Sequence, residues 1–290
     1  MIAAEILLGL IIFIFGSCIF SFLNVLIYRI PRNEGVVRGY SHCTSCGHRL
    51  YGRDMLPVLS WLFLKGKCRY CGSPVSGRYA LVELMGGVAA LVCVRFYGCT
   101  LAGVTAFAFF CLLTVIAFID YDTMEIPNRL NVAMAVLGVI SWVTMPEISI
   151  LQRLIGALAV SLPMIAVDFV VPGGFGGGDI KLVAAAGLLL GWKNNLLAAL
   201  LGIFFGGIYG MWLLARKKAG RKDHFAFGPF LCAGMAIALL AGEQIIHWYL
   251  GFFPSFEERE IWHYTNTKHR PLRGKLFPVK CRQTMNGSCI

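Results

Sequence analysis

The sequence predicts an all-α, multi-pass membrane protein with about eight transmembrane helices and a small cytosolic loop domain between helices 1 and 2. Of its 290 residues 58% are hydrophobic and only 14% are charged, whereas about a quarter of the residues in a soluble domain are charged. The chain also contains a series of long apolar runs, and a basic, cysteine-containing segment separates the first run from the others. We therefore expect the lipid bilayer to surround most of the chain.

Eight apolar runs define the expected helices. A bilayer core of about 30 Å needs about 20 helical residues, so the sixth run is short and must borrow residues from its flanks. The first run is too long for a signal peptide and has no small-residue cleavage site, which predicts a retained helix. The runs cover 5–28, 79–97, 101–119, 128–145, 151–171, 180–192, 195–215 and 229–252.

The distribution of basic residues predicts the orientation. Segment 29–78 contains nine Lys and Arg residues, and none precedes the first run. Because cytosolic loops are enriched in Lys and Arg, we expect 29–78 in the cytosol and the N-terminus outside. With eight helices, 120–128, 172–179 and 216–228 also lie inside, and "RKKAGRK" (216–222) adds five cations there. The short outside turns have few cations near them, namely Arg95, Arg153 and Lys193.

This topology accounts for much of the formal net charge of +11, so no nucleic-acid partner is required. The last segment, 253–290, is polar and rich in Lys and Arg, although the helix count sends it outside. Either this tail is a disordered appendage or the count is wrong by one. The expected organisation is a first helix (1–28), a cytosolic loop domain (29–78), a membrane core (79–252) and the tail (253–290).

The basic loop contains a duplicated cysteine pattern. Cys43 and Cys46 form one C-x-x-C pair, Cys68 and Cys71 form the other, and a glycine follows each pair. Four thiolates give the tetrahedral shell of structural Zn²⁺, and metal binding would supply folding energy to a loop with little core of its own. The alternative of redox pairs or disulfides suits a cytosolic segment less well. We predict a structural zinc site, with His42 and His48 outside it.

Two acidic residues border apolar runs at the expected cytosolic side. Asp120, in "AFIDYDTMEIPN" (117–128), ends the third run, and Asp179, in "GGFGGGDIK" (173–181), begins the sixth. A charge inside the bilayer is costly, so such residues are functional candidates. Two carboxyl groups in a partly dry site would share one proton. One could then activate water while the other protonates the substrate, which is peptide hydrolysis without a covalent intermediate.

The glycines before Asp179 fit this hypothesis. They leave space for a peptide backbone and permit positive φ angles, while Pro172 stiffens the entry to the loop. A phosphate-binding loop is the alternative, but an aspartate would lie in the cradle and no GK[ST] follows. A purely structural cap by Asp179 is also open. Among the other acids, Asp122 is expected to face water or headgroups, Asp168 to pair with a cation or tune the site, and Glu83 to pair with Arg78 or Arg69.

The same residues make the chain resemble the type IV prepilin peptidases, also called leader peptidase/N-methyltransferases. The resemblance runs in order over about 5–252 and is specific in combination, whereas the GGGD motif alone would be weak. The tail after about residue 254 resembles nothing in that family. The matching stretches are "GSCIFSFLNVLIYRIPR" (16–32), the two CxxCG pairs, "DMLPVLSWLFLKGKCRYCGSPVSGRYALVEL" (54–84), "IDYDTMEIPN" (119–128), "GGGDIKL" (176–182) and "FAFGPFL" (225–231).

The resemblance implies a membrane aspartic endopeptidase of the GxGD type in the bacterial inner membrane, whose two aspartates fall on Asp120 and Asp179. Such enzymes remove the short basic leader from prepilins or pseudopilins on the cytosolic side. They then N-methylate the exposed residue with S-adenosylmethionine. The zinc ligands of the family fall on Cys43, Cys46, Cys68 and Cys71, but no methyl-donor site can be transferred residue by residue.

Two hypotheses from other classes remain open at the level of the sequence. A proton-coupled transporter would use the membrane acids as a proton relay, although the chain lacks obvious paired repeats with matching broken helices. A non-enzymatic assembly scaffold would use the cysteine loop to recruit partners.

Overall fold

The computed structural model describes residues 2–35, 40–171, 173–216 and 225–251. The described residues are mainly α-helical and contain no β-strand, only isolated bridges between His42 and Arg49 and between Lys67 and Pro74. Residues 1–244 form one compact unit, and residues 245–290 form another, of which the end of the last helix is described. The interpretations that concerned Pro172, most of "RKKAGRK" and the tail fall outside these ranges.

The helices follow the apolar runs to within a few residues. A 3-10 turn (Gly52–Asp54) precedes α2 in the loop between α1 and α3, and α6 and α7 together replace the single run expected over 151–171. The helices are α1 (Ile2–Arg29), α2 (Leu59–Phe63), α3 (Gly77–Tyr97), α4 (Leu101–Thr123), α5 (Asn128–Thr144), α6 (Ile150–Ala159), α7 (Ser161–Val170), α8 (Gly177–Ala215) and α9 (Gly228–Gly251).

Short polar side chains and left-handed residues set several helix ends. Ser76 and Thr100 accept the backbone N–H groups of Arg78 and Gly103 at the starts of α3 and α4, as expected for N-cap hydroxyl groups. Met124, with φ of 55°, ends α4 directly after the turn that contains Asp120. The position of Asp120 at a helix end is thus encoded by residues close to it in the sequence.

Six spans of the described residues are long and apolar enough to cross a membrane. They comprise α1, α3, α4, the α6–α7 pair, α8 and α9, while α5, with 17 residues, falls just outside this set. Leu7, Leu10 and Ile11 of α1 are among many large apolar side chains that face outward. An outward apolar surface is what a lipid environment requires, so the architecture is that of a multi-pass membrane protein.

Helix α8 contains a reversal at Gly191. This residue has φ of 71° and ψ of 172°, which interrupts the helix. The Asn195 side-chain amide donates a hydrogen bond to the carbonyl oxygen of Val183 at 3.2 Å. In a continuous helix these residues would be separated by about 18 Å along the axis. The two parts of α8 therefore fold back on each other, and the left-handed φ at the turn suits glycine.

Several helix ends meet at one end of the bundle, which we call the aspartate end. Asn24 of α1 donates a hydrogen bond to the Tyr79 carbonyl oxygen of α3 at 3.3 Å. Arg78 of α3 contacts Asp122 of α4 through two hydrogen bonds of 2.7 Å. The end of α1, the start of α3 and the end of α4 are thus neighbours there.

A buried arginine connects three segments at the opposite end. The Arg153 side chain, which the sequence placed near an outside turn, is fully buried. Its guanidinium group donates to Ser141 Oγ at 2.5 Å and to the Ser141, Met145, Ile148 and Leu188 carbonyl oxygens. These carbonyl groups lie near the C-terminal ends of α5 and the first part of α8, where a cation is favoured.

Replacing Arg153 by Met should lower the stability of the fold. The substitution leaves buried carbonyl groups without donors, and each unsatisfied group costs about 1–3 kcal/mol, so we expect a clearly lower thermal unfolding midpoint in detergent. Arg95→Met is the matched control, because Arg95 is exposed near the end of α3. Equal midpoints for the two variants would show that the buried network does not stabilise the protein.

Candidate active site and metal site

The turn between α4 and α5 contacts the start of α8. Lys181 Nζ donates a hydrogen bond to Asn128 Oδ1 at 2.9 Å, and the Asn131 amide donates to the Gly178 carbonyl oxygen at 3.3 Å. A Cβ atom on Gly178 would lie 2.9 Å from Ile126 Cβ, so the two segments approach too closely for a side chain at this position. This packing brings the two aspartate-containing segments together at the aspartate end.

Asp120 lies in the last turn of α4 and is buried, with 5% of its surface exposed. Its Oδ2 atom accepts a hydrogen bond from the backbone N–H of Gly228 at 2.9 Å. Gly228 is the first residue of α9, and a helix N-terminus stabilises negative charge. A Cβ atom on Gly228 would lie 2.6 Å from Asp120 Oδ2. The approach of carboxylate and helix therefore requires glycine.

Asp179 lies in the first turn of α8 and is also buried, with 8% of its surface exposed. Its Oδ1 atom is buried and has no hydrogen-bond partner among the described residues. A Cβ atom on Gly176 would lie 2.9 Å from the other carboxyl oxygen. Buried polar atoms almost always have a partner, so this carboxyl oxygen is available to a bound water or ligand.

The two carboxyl groups share one environment, although 58 residues separate them in the sequence. Asp120 contacts Gly228 at the start of α9, and the segment before Asp179 contacts the residue before Gly228, because the ring centroids of Phe175 and Phe227 lie 6.1 Å apart. Their surroundings are apolar, with Ile119 and Leu182 completely buried beside them in the chain. Two acids in such surroundings are suited to share one proton and to exchange it with a bound water or amide.

The glycine-rich segment combines one left-handed position with open space. Gly173 has φ of 79°, whereas Gly176 has φ of −66°, so the expected positive φ occurs in only part of the segment. Asp168 accepts the Gly173 N–H at 3.1 Å and thereby holds the loop. No heavy atom lies within 4 Å of the position that a Cβ atom on Gly177 would occupy. A chain could therefore approach Asp179 from that side.

Two further acids at the aspartate end have structural contacts. Asp122 forms an ion pair with Arg78 while staying partly exposed, which agrees with the expectation that it faces the surface. The expected pairing of Glu83 with Arg78 or Arg69 is wrong. Glu83 instead accepts the Val58 backbone N–H at 2.7 Å, because Arg78 pairs with Asp122 and Arg69 with Asp54.

The four cysteine sulfur atoms of the loop converge. The Sγ atoms of Cys43, Cys46, Cys68 and Cys71 all lie within 4.8 Å of one another, and Cys43 and Cys71 are 3.9 Å apart. Tetrahedral zinc with Zn–S distances of about 2.3 Å requires sulfur atoms about 3.8 Å apart. The donor set and its spacing therefore fit Zn²⁺, and no open position remains for a substrate.

The two C-x-x-C-G segments, 43–47 and 68–72, which we call the first and second knuckle, have the same backbone geometry. Gly47 and Gly72 have φ of 69° and 72°, and their N–H groups donate to the carbonyl oxygens of Cys43 and Cys68 at 2.8 and 2.9 Å. A left-handed residue after each pair turns the chain tightly enough for both cysteines to face one point. This duplication was expected from the two C-x-x-C-G sequences.

Hydrogen bonds prepare part of the cluster for metal binding. The backbone N–H groups of Cys46 and Ser45 lower the pKa of Cys43 to about 6 despite its burial. Hydrogen bonds to the side chain and backbone of Ser73 lower the pKa of Cys71. A lowered pKa favours the thiolate that zinc binds. The histidines do not join the cluster. The His48 ring contacts Tyr70, with ring centroids 3.7 Å apart, and His42 Nδ1 contacts the Tyr40 carbonyl oxygen.

Asp54 fastens the second knuckle, a role that sequence reasoning missed. Only 3% of its side chain is exposed. Burial raises the pKa of Asp54, but hydrogen bonds from Arg69, the Tyr51 N–H and the Tyr70 hydroxyl outweigh burial and lower it. Arg69 Nε and Tyr70 Oη lie 2.6 and 3.0 Å from the carboxylate. Its position just before an apolar "MLP" stretch gave no sign of contacts 15 residues further along the chain.

Replacing Cys71 by Ser should remove the metal and loosen the loop. We expect metal analysis of the purified protein to give about one zinc per wild-type chain and almost none in the variant. Trypsin should then cut the loop at its Lys and Arg residues, because metal binding supplies its folding energy. Cys99→Ser, at an exposed position between α3 and α4, should keep both properties. A metal-free wild-type protein with a protected loop would contradict this prediction.

Two family models match the chain. The model described as the bacterial peptidase A24 N-terminal domain matches residues 14–97. The model described as the type IV leader peptidase family matches residues 107–211. Together they cover the second half of α1, the cysteine loop and both aspartates. The search of solved structures gave no match.

Curated relatives named prepilin leader peptidase/N-methyltransferase are similar over most of the chain. The protein of Bacillus subtilis (strain 168) is 33% identical, over 83% of this chain and 97% of its own length. The protein of Aeromonas hydrophila is 31% identical, over 84% of this chain and 94% of its own length. That of Myxococcus xanthus (strain DK1622) is 36% identical over 74% of this chain, but this alignment covers 66% of the relative. These matches confirm the resemblance drawn from the motifs.

Proposed function

Because the chain belongs to the type IV leader peptidase family and is an enzyme of that peptidase class, we propose that it removes the short basic leader from prepilins or pseudopilins. The observation that supports this proposal is the pair of buried acids, Asp120 and Asp179, which come from remote segments that meet where α4 ends and α8 begins. The names of the relatives support the substrate class.

The two carboxyl groups perform hydrolysis as an acid–base pair that holds one proton. The N–H of Gly228 favours negative charge on Asp120, whereas the unpartnered Oδ1 of Asp179 suits a protonated oxygen. Asp120 then takes a proton from water as the water attacks the scissile carbonyl carbon. Asp179 donates its proton to the carbonyl oxygen, which gives a tetrahedral diol. Asp120 then passes the proton from water to the nitrogen, and the carbon–nitrogen bond breaks as Asp179 takes back a proton from the diol.

The substrate enters beside α8. A prepilin has an apolar helix after its leader, and that helix can lie in the bilayer against the outward apolar surface of this protein. The open side of Gly177 lets the extended junction between leader and helix reach Asp179. The membrane thereby positions the scissile bond at the level of the acids.

Asp120→Asn and Asp179→Asn should each abolish prepilin cleavage in membranes. Loss of an acid–base group typically lowers the rate by about 100- to 10,000-fold, and removal of the shared proton should disable the pair as a unit. The matched control is Asp122→Asn, two residues from Asp120, because its exposed ion pair with Arg78 is worth at most about 1 kcal/mol. Cleavage is read from the mass of the product. Full activity of either aspartate variant would exclude the pair.

The proposed topology has eight spans and places the aspartate end in the cytosol. Helix α5 has 17 residues and a length of about 26 Å, close to the bilayer core of about 30 Å. The reversal at Gly191 makes two spans of α8. Nine Lys and Arg residues in 29–78 favour the inside of the bacterial inner membrane for the cysteine loop. The peptidase core then extends over 79–252.

Reporter fusions can test this topology. Alkaline phosphatase, which is active only outside the cytosol, should be inactive after residues 75, 125, 176 and 216 and active after residue 147. Fusions after 176 and 216 should behave alike, because a hairpin returns the chain to the same side. Opposite activities at these two positions would show that α8 crosses once. Fusion expression is checked by immunoblot.

The proposed enzyme also uses two cofactors, a zinc ion and S-adenosylmethionine. Zn²⁺ on Cys43, Cys46, Cys68 and Cys71 has a structural role, in agreement with the closed sulfur shell. The second activity is N-methylation of the newly exposed residue, for which S-adenosylmethionine supplies the methyl group. The relatives' names support this activity.

A further inference from the structure

A large cavity lies beside the cysteine loop at the aspartate end. Its volume is about 710 Å³, and α1, α3 and the loop form its walls. Small-molecule sites typically have volumes of about 300–1,000 Å³. Neither Asp120 nor Asp179 lines it, so the peptidase chemistry leaves this cavity without a role.

We propose that this cavity is the methyl-donor site. It would bind S-adenosylmethionine between the cysteine loop on one side and the last turns of α1 and the first turns of α3 on the other. This inference rests on the methyltransferase part of the proposed function. The donor consists of an adenine ring, a ribose, a sulfonium cation and an amino acid. A fitting site therefore needs a flat apolar surface, hydrogen-bonding groups and negative charge near the sulfonium group.

Aromatic side chains supply the flat surface. Trp61 and Tyr79 line the cavity from the loop and from α3. The Trp61 indole N–H donates a hydrogen bond to the Val75 carbonyl oxygen at 3.1 Å, which fixes the orientation of the ring. A purine stacks well on an immobilised aromatic face.

Glu83 supplies the negative charge. It lies half-buried on α3 and lines the cavity. Its Oε2 atom accepts the Val58 N–H at 2.7 Å, so the carboxylate is held in place by the loop. A carboxylate near the protein surface attracts a cation more strongly than a carboxylate in bulk water does, because the effective dielectric constant is lower there. Asn24 and Lys67, also in the wall, suit the ribose hydroxyl groups and the carboxylate of the donor.

One wall of the cavity belongs to α3, and α3 contacts α4, the helix that contains Asp120. Glu83 lies five residues after Arg78 on α3, and Arg78 binds Asp122, two residues after Asp120 on α4. The new N-terminus would therefore form near the end of α4, next to α3, which lines the cavity. In methyl transfer the amine nitrogen forms a bond to the methyl carbon, the carbon–sulfur bond breaks with its electron pair left on sulfur, and the nitrogen releases a proton to water.

Equilibrium binding to the purified full-length protein in nanodiscs tests this site. Glu83→Gln removes the charge while its amide oxygen can still accept the Val58 N–H. We expect it to weaken binding of labelled S-adenosylmethionine about tenfold and binding of neutral S-adenosylhomocysteine much less. A general structural effect would weaken both ligands equally. Glu147→Gln, an exposed acid outside the cavity, should bind both like the wild type. Zinc content reports whether the loop is folded.

Direct ultraviolet cross-linking of labelled S-adenosylmethionine gives a second measurement. The label should appear in peptides that contain Trp61 or Tyr79, and an excess of a basic leader peptide should not remove it. Label confined to other peptides, displacement of the donor by the leader peptide at this site, or unchanged affinity of Glu83→Gln would overturn the assignment.

The wild-type protein separates failure of this inference from failure of the proposed function. A wild type that binds the donor and methylates a cleaved prepilin, with unchanged affinity in Glu83→Gln, shows that the donor site lies elsewhere. A wild type that cleaves prepilin but neither binds the donor nor methylates the product refutes the methyltransferase activity and this site with it. Absence of cleavage refutes the peptidase part.

Discussion

The cost of burying a charge among apolar helices is the constraint on which this structure depends. A carboxylate inside the bundle needs donors or a protonated state, and Asp120 obtains a donor from the first N–H of α9. That contact is possible only because residue 228 is glycine, since any side chain would collide with the carboxylate. The apposition of α4 and α9 is therefore part of the proposed catalytic machinery as well as of the fold.

The same electrostatic rule operates with opposite sign at the other end of the bundle. Arg153 is fully buried where α5 and the first part of α8 present their last carbonyl groups. Helix N-termini thus meet the acids, and helix C-termini meet the arginine. Arg153 connects α5 and α8 by hydrogen bonds. These bonds would help to keep the segments that contain Asp120 and Asp179 in a fixed arrangement, which the proposed acid–base catalysis requires.

One acid holds the cysteine loop together, and another fastens it to α3. Asp54 binds Arg69 and Tyr70 within the loop, and Glu83 of α3 binds the Val58 N–H. Metal binding at the four sulfur atoms would fix the two knuckles relative to each other. Because these contacts enclose the cavity, the metal would also shape the proposed methyl-donor site. The metal and the proposed second activity would thereby be connected.

The sequence by itself determined the elements whose signals are local. Apolar runs gave the helix bounds, the C-x-x-C-G repeats gave the sulfur cluster, and acids at the borders of runs pointed to Asp120 and Asp179. The break between two runs near residue 192 also anticipated the reversal at Gly191. Such patterns depend on helix periodicity, turn geometry and the cost of charge in lipid, all of which act over a few residues.

Only the tertiary structure decided the partners of the charged groups. The sequence could not show that Gly228 donates to Asp120 across 108 residues. It also suggested that Glu83 paired with an arginine, whereas packing gave it a backbone N–H. It placed Arg153 near a turn but could not show that the side chain is buried. Hydrogen-bond partners depend on which helix ends are brought into contact, and that proximity is set by the packing of distant segments rather than by neighbouring residues.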